Sequence, residues 1–148
     1  MNNALSLLLA ITVGALLPLQ VAMNMQLRAW FRDPVIAALP NFVVGTVLLV
    51  AYLLLARSRL PSAASLADVP IWAWLGGIIG ASYVIASLYL GPKIGATLLL
   101  ALILAGQMAM SLAVDHFGLL GFPQHPINLP RLAGVVMLVA GAVLIVKN

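Results

Sequence analysis

The sequence predicts an all-α integral membrane protein with five transmembrane helices. Of its 148 residues, 64% are hydrophobic and only 7% are charged, whereas soluble domains carry roughly a quarter charged residues. The apolar residues form long runs separated by connectors that hold charged residues, prolines and glycines. Amphipathic soluble helices and half-buried strands lack such runs. Lipid is therefore the expected solvent for most side chains, and residues 1–148 are expected to form a single membrane domain.

Five apolar runs are the candidate spans. A helix needs about 20 apolar residues to cross a hydrocarbon layer of about 30 Å, and the first four runs meet that length. The fifth is shorter, but Arg131 and Lys147 flank it and can extend their charges to the two interfaces. No basic residue precedes the first run, which exceeds a signal-peptide core, so a retained span is expected. The predicted spans are residues 4–25, 34–56, 71–90, 94–114 and 131–147.

Helix-breaking and interfacial residues mark the span ends. Charged residues occur together with prolines or glycines in several of the predicted connectors, which cover residues 28–33, 57–70 and 91–93. Trp30, Trp72 and Trp74 lie at span ends, where an amphipathic ring prefers the headgroup zone. The longest connector, residues 116–131, holds three prolines and several apolar side chains. We expect it to lie on the membrane surface.

Several function classes are disfavoured by what the sequence contains. The net charge is +4, but the seven Lys and Arg residues are scattered, which argues against nucleic-acid binding. The sequence contains no GxxxxGK[ST] nucleotide-binding loop, so a self-contained ATP-driven pump is not expected. Cysteine is absent, which excludes disulfides and thiolate metal sites. The only histidines, His116 and His125, lie in one connector, and with Asp115 they form a weak metal candidate. The sequence predicts no enzyme, no metal site and no cofactor.

Polar residues inside the spans are the main evidence for function, because they tend to face the bundle interior or a water-filled cavity. Gln20 and Asn24 are four residues apart on one helical face. The predicted substrate-binding residues are Gln20, Asn24, Asn41, Tyr83 and Gln107. They would act by hydrogen bonding and, for Tyr83, by ring stacking or cation-π contact. For each residue alone, the alternative is an interhelical hydrogen bond that only packs the bundle.

This neutral lining predicts a neutral or weakly charged organic solute. Because no nucleotide site is present, transport would be secondary or facilitative. The alternative is a non-transporting membrane scaffold or accessory subunit, in which the fifth span docks a partner through its small residues, such as Gly134 and Gly141. A pore is disfavoured because no ring of charges or filter-like segment is present.

The distribution of basic residues gives no preferred orientation. With five spans, one side of the membrane holds three basic residues and the other holds four, and orientation follows the excess of Lys and Arg on the cytoplasmic side. The chain is therefore expected to insert both ways. The two sets are Arg57, Arg59 and Arg131 on one side, and Arg28, Arg32, Lys93 and Lys147 on the other.

A family resemblance covers essentially the whole chain. The residues that carry it are Gly14, Gln20, Asn24, Asn41, Val44-Gly45, Gly91 to Lys93, and Gly95-Ala96-Thr97 through Gln107 to Asp115-His116-Phe117. In their order and spacing the chain resembles the YdcZ-like five-span family of the drug/metabolite transporter superfamily. The resemblance implies an exporter of the bacterial inner membrane that is half of a ten-span inverted-repeat transporter. The chain differs from small multidrug resistance proteins because Gln20 and Asn24 are neutral and its first span has no glutamate.

The resemblance and the odd number of spans together predict an assembly. Five spans place the termini on opposite sides, so two oppositely inserted copies would reproduce an inverted repeat with a substrate site near the bilayer midplane. We therefore expect an antiparallel homodimer with a two-fold axis in the membrane plane. The expected partners are a small-molecule substrate, the lipid bilayer and a second copy of the chain.

Overall fold

A computed structural model describes residues 3–147 as helices joined by connectors. That part of the chain contains six α-helices and no β-strand. A 3-10 turn at Ile71–Trp74 leads directly into α4, and a second one lies at Leu119–Gly121. The helices are α1 Asn3–Phe31, α2 Pro34–Leu55, α3 Ala63–Ala67, α4 Leu75–Ile94, α5 Ala96–Phe117 and α6 Leu129–Lys147.

Five of the six helices are long and apolar enough to cross a membrane, which confirms the predicted number of candidate spans and the all-α class. The exception is α3, whose five residues are too few. Large apolar side chains such as Leu8, Val44 and Met137 are exposed on the spans. So much exposed apolar surface would be unfavourable in water, whereas it is compatible with a surrounding of lipid chains.

The first helix extends beyond its predicted span. Its 29 residues measure about 43 Å at about 1.5 Å per residue, longer than the hydrocarbon layer of about 30 Å. After Pro18, no proline or glycine interrupts the sequence before Phe31. The helix ends at Arg32, which has a left-handed φ of 57°. The predicted connector at residues 28–33 is therefore helical over most of its length.

The α1–α2 turn is short because α2 has strong start signals. The Oδ1 atom of Asp33 accepts hydrogen bonds from the backbone N–H groups of Val35 at 2.7 Å and Ile36 at 2.9 Å. Pro34 occupies the first helical position, where no backbone donor is required. The chain can therefore reverse direction within two residues.

The chain forms two compact units that meet in sequence between Pro92 and Lys93. In the first unit α1 packs beside α2, and the core lies between α2 and α4. Ala37, Ala38, Val84 and Leu88 form this core, and their burial away from lipid and water contributes to the stability of the unit. Partly buried side chains packed against the core are Met25, Leu27, Tyr83 and Ile85.

The second unit is a hairpin of α5 and α6. Gly118 ends α5 with a φ of 60°, and its backbone N–H donates to the Val114 carbonyl. A Cβ at this position would lie 3.3 Å from the Gln124 Cβ, so both backbone conformation and space favour glycine here. The connector is also bonded to α5, because the N–H of His125 donates to the Asp115 carbonyl at 2.7 Å.

Candidate substrate-binding site

Two of the five predicted site residues are in direct contact. The Nε2 of Gln20 on α1 donates a hydrogen bond to the Oδ1 of Asn41 on α2, with a donor–acceptor distance of 3.1 Å. Both side chains are half-buried. Each amide retains further donors and acceptors after this bond. The pair therefore joins the two helices and also leaves polar groups for a ligand.

Asn24 lies one turn beyond Gln20 on the same helix and is only 7% exposed. Its neighbour on this inward-facing side, Val21, is also buried. The Asn24 amide forms no hydrogen bond with another side chain or backbone group among residues 3–147. Among the described residues no fully buried side-chain nitrogen or oxygen lacks a hydrogen-bond partner, so the Asn24 amide keeps accessible polar atoms and is a candidate for binding a water molecule or a solute.

Tyr83 lies on α4 and is half-buried, with its side chain packed against the core of the first unit. One turn later, the Ser87 hydroxyl donates to the Tyr83 carbonyl at 2.8 Å. The hydroxyl of Ser87 is thus satisfied within its own helix. Tyr83 contributes an aromatic surface to the same unit that contains the Gln20–Asn41 pair.

Gln107 belongs to the second unit and lies on α5 with an exposed side chain. Its amide forms no hydrogen bond within the part of the chain that the structure describes. The four remaining predicted residues all belong to the first unit. Asn24 and Tyr83 make no direct hydrogen bond to the Gln20–Asn41 pair in the described chain.

A charged side chain compensates for a proline in the first unit. Pro92 lies inside α4 and has no N–H to donate to the Leu88 carbonyl four residues earlier. The Nη1 of Arg28 donates to that carbonyl instead, at 2.6 Å. In addition, the Arg28 guanidinium carbon lies 6.0 Å from the centroid of the Tyr89 ring, which is within cation-π range. With these contacts α4 continues to Ile94. The predicted connector at residues 91–93 is therefore helical. Gly95, with a φ of 80°, follows the helix end.

The second unit contains a cavity of about 270 Å³ between α5 and α6. An ion pair borders it, in which the Nη2 of Arg131 lies 3.0 Å from the Oδ2 of Asp115. Arg131 also donates to the His125 carbonyl at 3.0 Å. The remaining lining residues are Met108, Ser111, Leu112, Gly134, Val135 and Leu138. The cavity is therefore mainly apolar with a charged pair on its wall.

The weak metal candidate at Asp115, His116 and His125 has other contacts. The Nδ1 of His116 accepts a hydrogen bond from the N–H of Ile127 at 3.1 Å, and the Oδ2 of Asp115 binds Arg131. Among residues 3–147 the structure contains no cluster of three or more His, Asp or Glu side chains that could hold a metal ion.

Comparison with known proteins agrees with this membrane architecture. A family model described as "Putative inner membrane exporter, YdcZ" matches residues 5–144. The chain belongs to the YdcZ family. It is similar to a curated protein of Escherichia coli (strain K12) named "Inner membrane protein YdcZ", with 29% identity over 148 residues that cover 100% of this chain and 99% of that protein. No solved structure matches the chain.

Membership of the YdcZ family confirms the predicted class and location. This YdcZ-family chain is a multi-pass protein of the bacterial inner membrane, and the description of its family names an exporter, which is a transporter class rather than an enzyme class. Two features of this YdcZ-family chain were missing from the sequence prediction: the contact of Arg28 with the Leu88 carbonyl and the ion pair of Asp115 with Arg131. The four-residue spacing of Leu88 and Pro92 could have indicated a carbonyl that requires a donor.

Proposed function

We propose that this YdcZ-family protein is a secondary or facilitative exporter of a small organic solute, working by alternating access as an antiparallel homodimer. The observation that carries the proposal is the group of amides in the first unit, where Gln20 binds Asn41, and the largely buried Asn24 bonds to no other described side chain and keeps accessible amide atoms. Polar groups in a membrane span are rare and tend to line solute pathways. The family description supports the transporter class.

The chemistry of these amides favours a neutral or weakly charged solute. Each amide offers two N–H donors and one carbonyl acceptor, which suits hydroxyl, carbonyl and amide groups. None of the proposed binding residues, Gln20, Asn24, Asn41, Tyr83 and Gln107, is charged at neutral pH. Tyr83 would add a ring surface for stacking or cation-π contact. A strongly charged solute would lack a counter-ion in this set.

The proposed dimer would complete the site with Gln107 from the second copy. Measured along the predicted spans at about 1.5 Å per residue, Gln107 lies about 4 to 5 Å from the span centre. Gln20 and Asn41 lie about 6 to 8 Å from their span centres toward the opposite side. Inverting one copy brings the two groups roughly level. We therefore propose that each half-cavity combines Gln20 and Asn41 of one protomer with Gln107 of the other.

The test begins with a thermal-stability screen of the purified protein against small neutral metabolites, since a ligand stabilises the state that it binds. A stabilising solute is then followed in flux assays with reconstituted liposomes. Asn24→Leu should abolish flux while folded yield stays nearly intact, because leucine removes the amide without adding a charge. Gln26→Leu is a matched control, since Gln26 is a polar residue on the same helix with an exposed side chain. Equal flux in both variants and the wild type would refute the site.

The alternative function is a membrane scaffold, and one observation favours it. The Gln20–Asn41 hydrogen bond joins α1 to α2, which is how polar residues pack helices with about 0.6 to 2 kcal/mol per bond. If packing is its role, Gln20→Leu should lower stability and no solute should stabilise the protein or cross the membrane. A stability loss together with retained solute binding would assign Gln20 to packing and leave Asn24 in the site.

A further inference from the structure

The C-terminal end of α1 borders a cleft that the proposed solute site does not include. This cleft has a volume of about 380 Å³ and lies within the first unit. Its lining residues are Met25, Arg28, Ala29, Arg32 and Pro92. Two arginines therefore border one open space, and no acidic residue is among the lining residues.

The two arginines are not neutralised by an ion pair. Among the described residues, the ion pair of the chain joins Arg131 to Asp115, in the other unit. Asp33 follows Arg32 directly, but its carboxylate lies beyond 4 Å from both guanidiniums, and its Oδ1 caps α2 by accepting from Val35 and Ile36. The cleft consequently carries two positive charges without a counter-ion.

Arg28 is held in a fixed position in this cleft. Its Nη1 donates to the Leu88 carbonyl at 2.6 Å, and its guanidinium lies 6.0 Å from the Tyr89 ring centroid. A guanidinium has five N–H donors, so the bond to Leu88 leaves others available to a ligand. Because the side chain is already ordered, binding an anion would cost less conformational entropy than binding to a free surface arginine.

Helix electrostatics favour a cation at both positions, but only the Arg28 side chain is also bonded within the described part of the protein. A cation in the last turn of a helix interacts favourably with the terminal carbonyls, by about 0.3 to 1 kcal/mol, and Arg28 is in the last turn of α1. Arg32 lies past the helix end, and its side chain makes no hydrogen bond or ion pair within residues 3–147. Its guanidinium is thus available to a ligand.

The depth of the cleft matches the headgroup layer. Arg28 lies three residues beyond the predicted end of the first span, or about 4 to 5 Å at about 1.5 Å per residue. Trp30, between the two arginines in sequence, is 83% exposed, as expected of a ring in the interfacial zone. Phosphate groups are concentrated at this depth, and arginine binds phosphate oxygens through its planar fork.

We propose that Arg28 and Arg32 form a binding site for a phosphate-type anion at the end of α1. The ligand chemistry is a phosphate monoester or diester, supplied either by an anionic lipid headgroup or by a soluble phosphate. The site is separate from the amide group and does not depend on the transport proposal, because its test measures anion binding and not flux.

The experiment compares Arg32→Gln with Arg59→Gln in purified full-length protein in an uncharged detergent. Arg59 is an exposed arginine in the α2–α3 connector, outside the cleft, so its variant loses the same charge. Thermal stability is measured against sodium phosphate, with sodium chloride at equal ionic strength as reference. In parallel it is measured in mixed micelles that contain either phosphatidylglycerol or phosphatidylcholine.

The site predicts that phosphate, phosphatidylglycerol or both stabilise the wild type and Arg59→Gln at the same concentrations. Arg32→Gln should need a roughly tenfold higher concentration, because it loses one charge-assisted contact. A response to phosphatidylglycerol alone assigns the source to lipid, and a response to phosphate assigns it to a soluble anion. No response in the wild type, or the same response in both variants, overturns the proposal.

A second substitution keeps the test valid if Arg32→Gln does not fold. Arg32→Lys retains the positive charge but loses the planar fork. Its affinity for phosphate should lie between those of the wild type and Arg32→Gln. If Arg32→Gln cannot be purified, the comparison is with the wild type alone, and the affinity of Arg32→Lys should be severalfold lower. Unchanged affinity in Arg32→Lys and Arg59→Lys alike would show that Arg32 makes no specific contact and would reject the site.

Discussion

Replacing Arg28 with methionine is expected to destabilise the first unit, and a second replacement, Pro92→Ala, is expected to remove most of that loss. Methionine retains much of the apolar stem of arginine but has no donor. The Leu88 carbonyl would then lose its bond from the Arg28 Nη1, while Pro92 still offers no N–H. In the Pro92→Ala background, the alanine N–H can bond to that carbonyl within α4.

The size of the effect follows from the type of bond. A hydrogen bond to a charged donor contributes about 1.5 to 3 kcal/mol, and the 2.6 Å distance indicates a charge-assisted bond. Loss of the interaction with the end of α1 adds about 0.3 to 1 kcal/mol. This second part is present in both backgrounds and cancels in a double-mutant cycle. The expected coupling between Arg28 and Pro92 is therefore about 1.5 to 3 kcal/mol.

The free energy of unfolding can be measured by titrating the purified protein with sodium dodecyl sulfate in an uncharged detergent. Phosphate should be absent, so that anion binding at Arg28 does not contribute. Arg59→Met in the same two backgrounds is the control and should show additive effects. A coupling below about 0.5 kcal/mol, the usual limit of additivity, would show that Arg28 does not substitute for the N–H that Pro92 lacks.

Three further predictions test topology, the second unit and the solute site. Ser58→Cys places a single cysteine at an exposed connector position; in intact cells a membrane-impermeant thiol reagent should label only part of the protein, and the rest once the membrane is opened. Complete labelling or complete protection, with expression verified, would exclude dual orientation. In detergent unfolding, Asp115→Asn should lower the free energy of unfolding by about 1 kcal/mol because Arg131 loses its ion pair. Arg131→Met should then lower it by less in the Asp115→Asn variant than in the wild type. Losses that simply add would argue against coupling between the two residues. Gln107→Leu should abolish solute flux in liposomes with nearly unchanged folded yield, and wild-type flux would remove Gln107 from the site.

The sequence predicts the helices well because apolar run length alone determines them. Helix ends are harder to predict, because they depend on contacts from other helices. Pro92 is a strong local signal for a break, yet Arg28, sixty-four positions earlier in the chain, supplies the donor that Leu88 requires. Likewise, no local pattern stops α1 before Arg32, where the backbone adopts a left-handed conformation.

For the candidate site, the sequence likewise predicts which residues share a helical face but not which residues on other helices they contact. The four-residue spacing of Gln20 and Asn24 indicates a shared helical face, but it does not indicate which helix that face contacts. The bond to Asn41 depends on how α1 packs beside α2. The sequence predicts that Arg131 extends its charge to the interface, but it does not predict the ion pair with Asp115 that the structure shows. That pairing follows from the α5–α6 hairpin, which sequence spacing alone does not specify.

The closed end of the α5–α6 hairpin also bears on how the chain is inserted during synthesis. An unpaired charge raises the free energy of insertion when it must enter the hydrocarbon layer, by less near a helix end than the value of about 2.5 to 3.5 kcal/mol at the helix centre. Asp115 and Arg131 lie at adjoining ends of the two helices and form one neutral pair. Their connector is tied back to α5 through His116. Insertion of both helices as one folded hairpin would therefore never expose either charge alone to lipid, in whichever direction the nascent chain enters the bilayer.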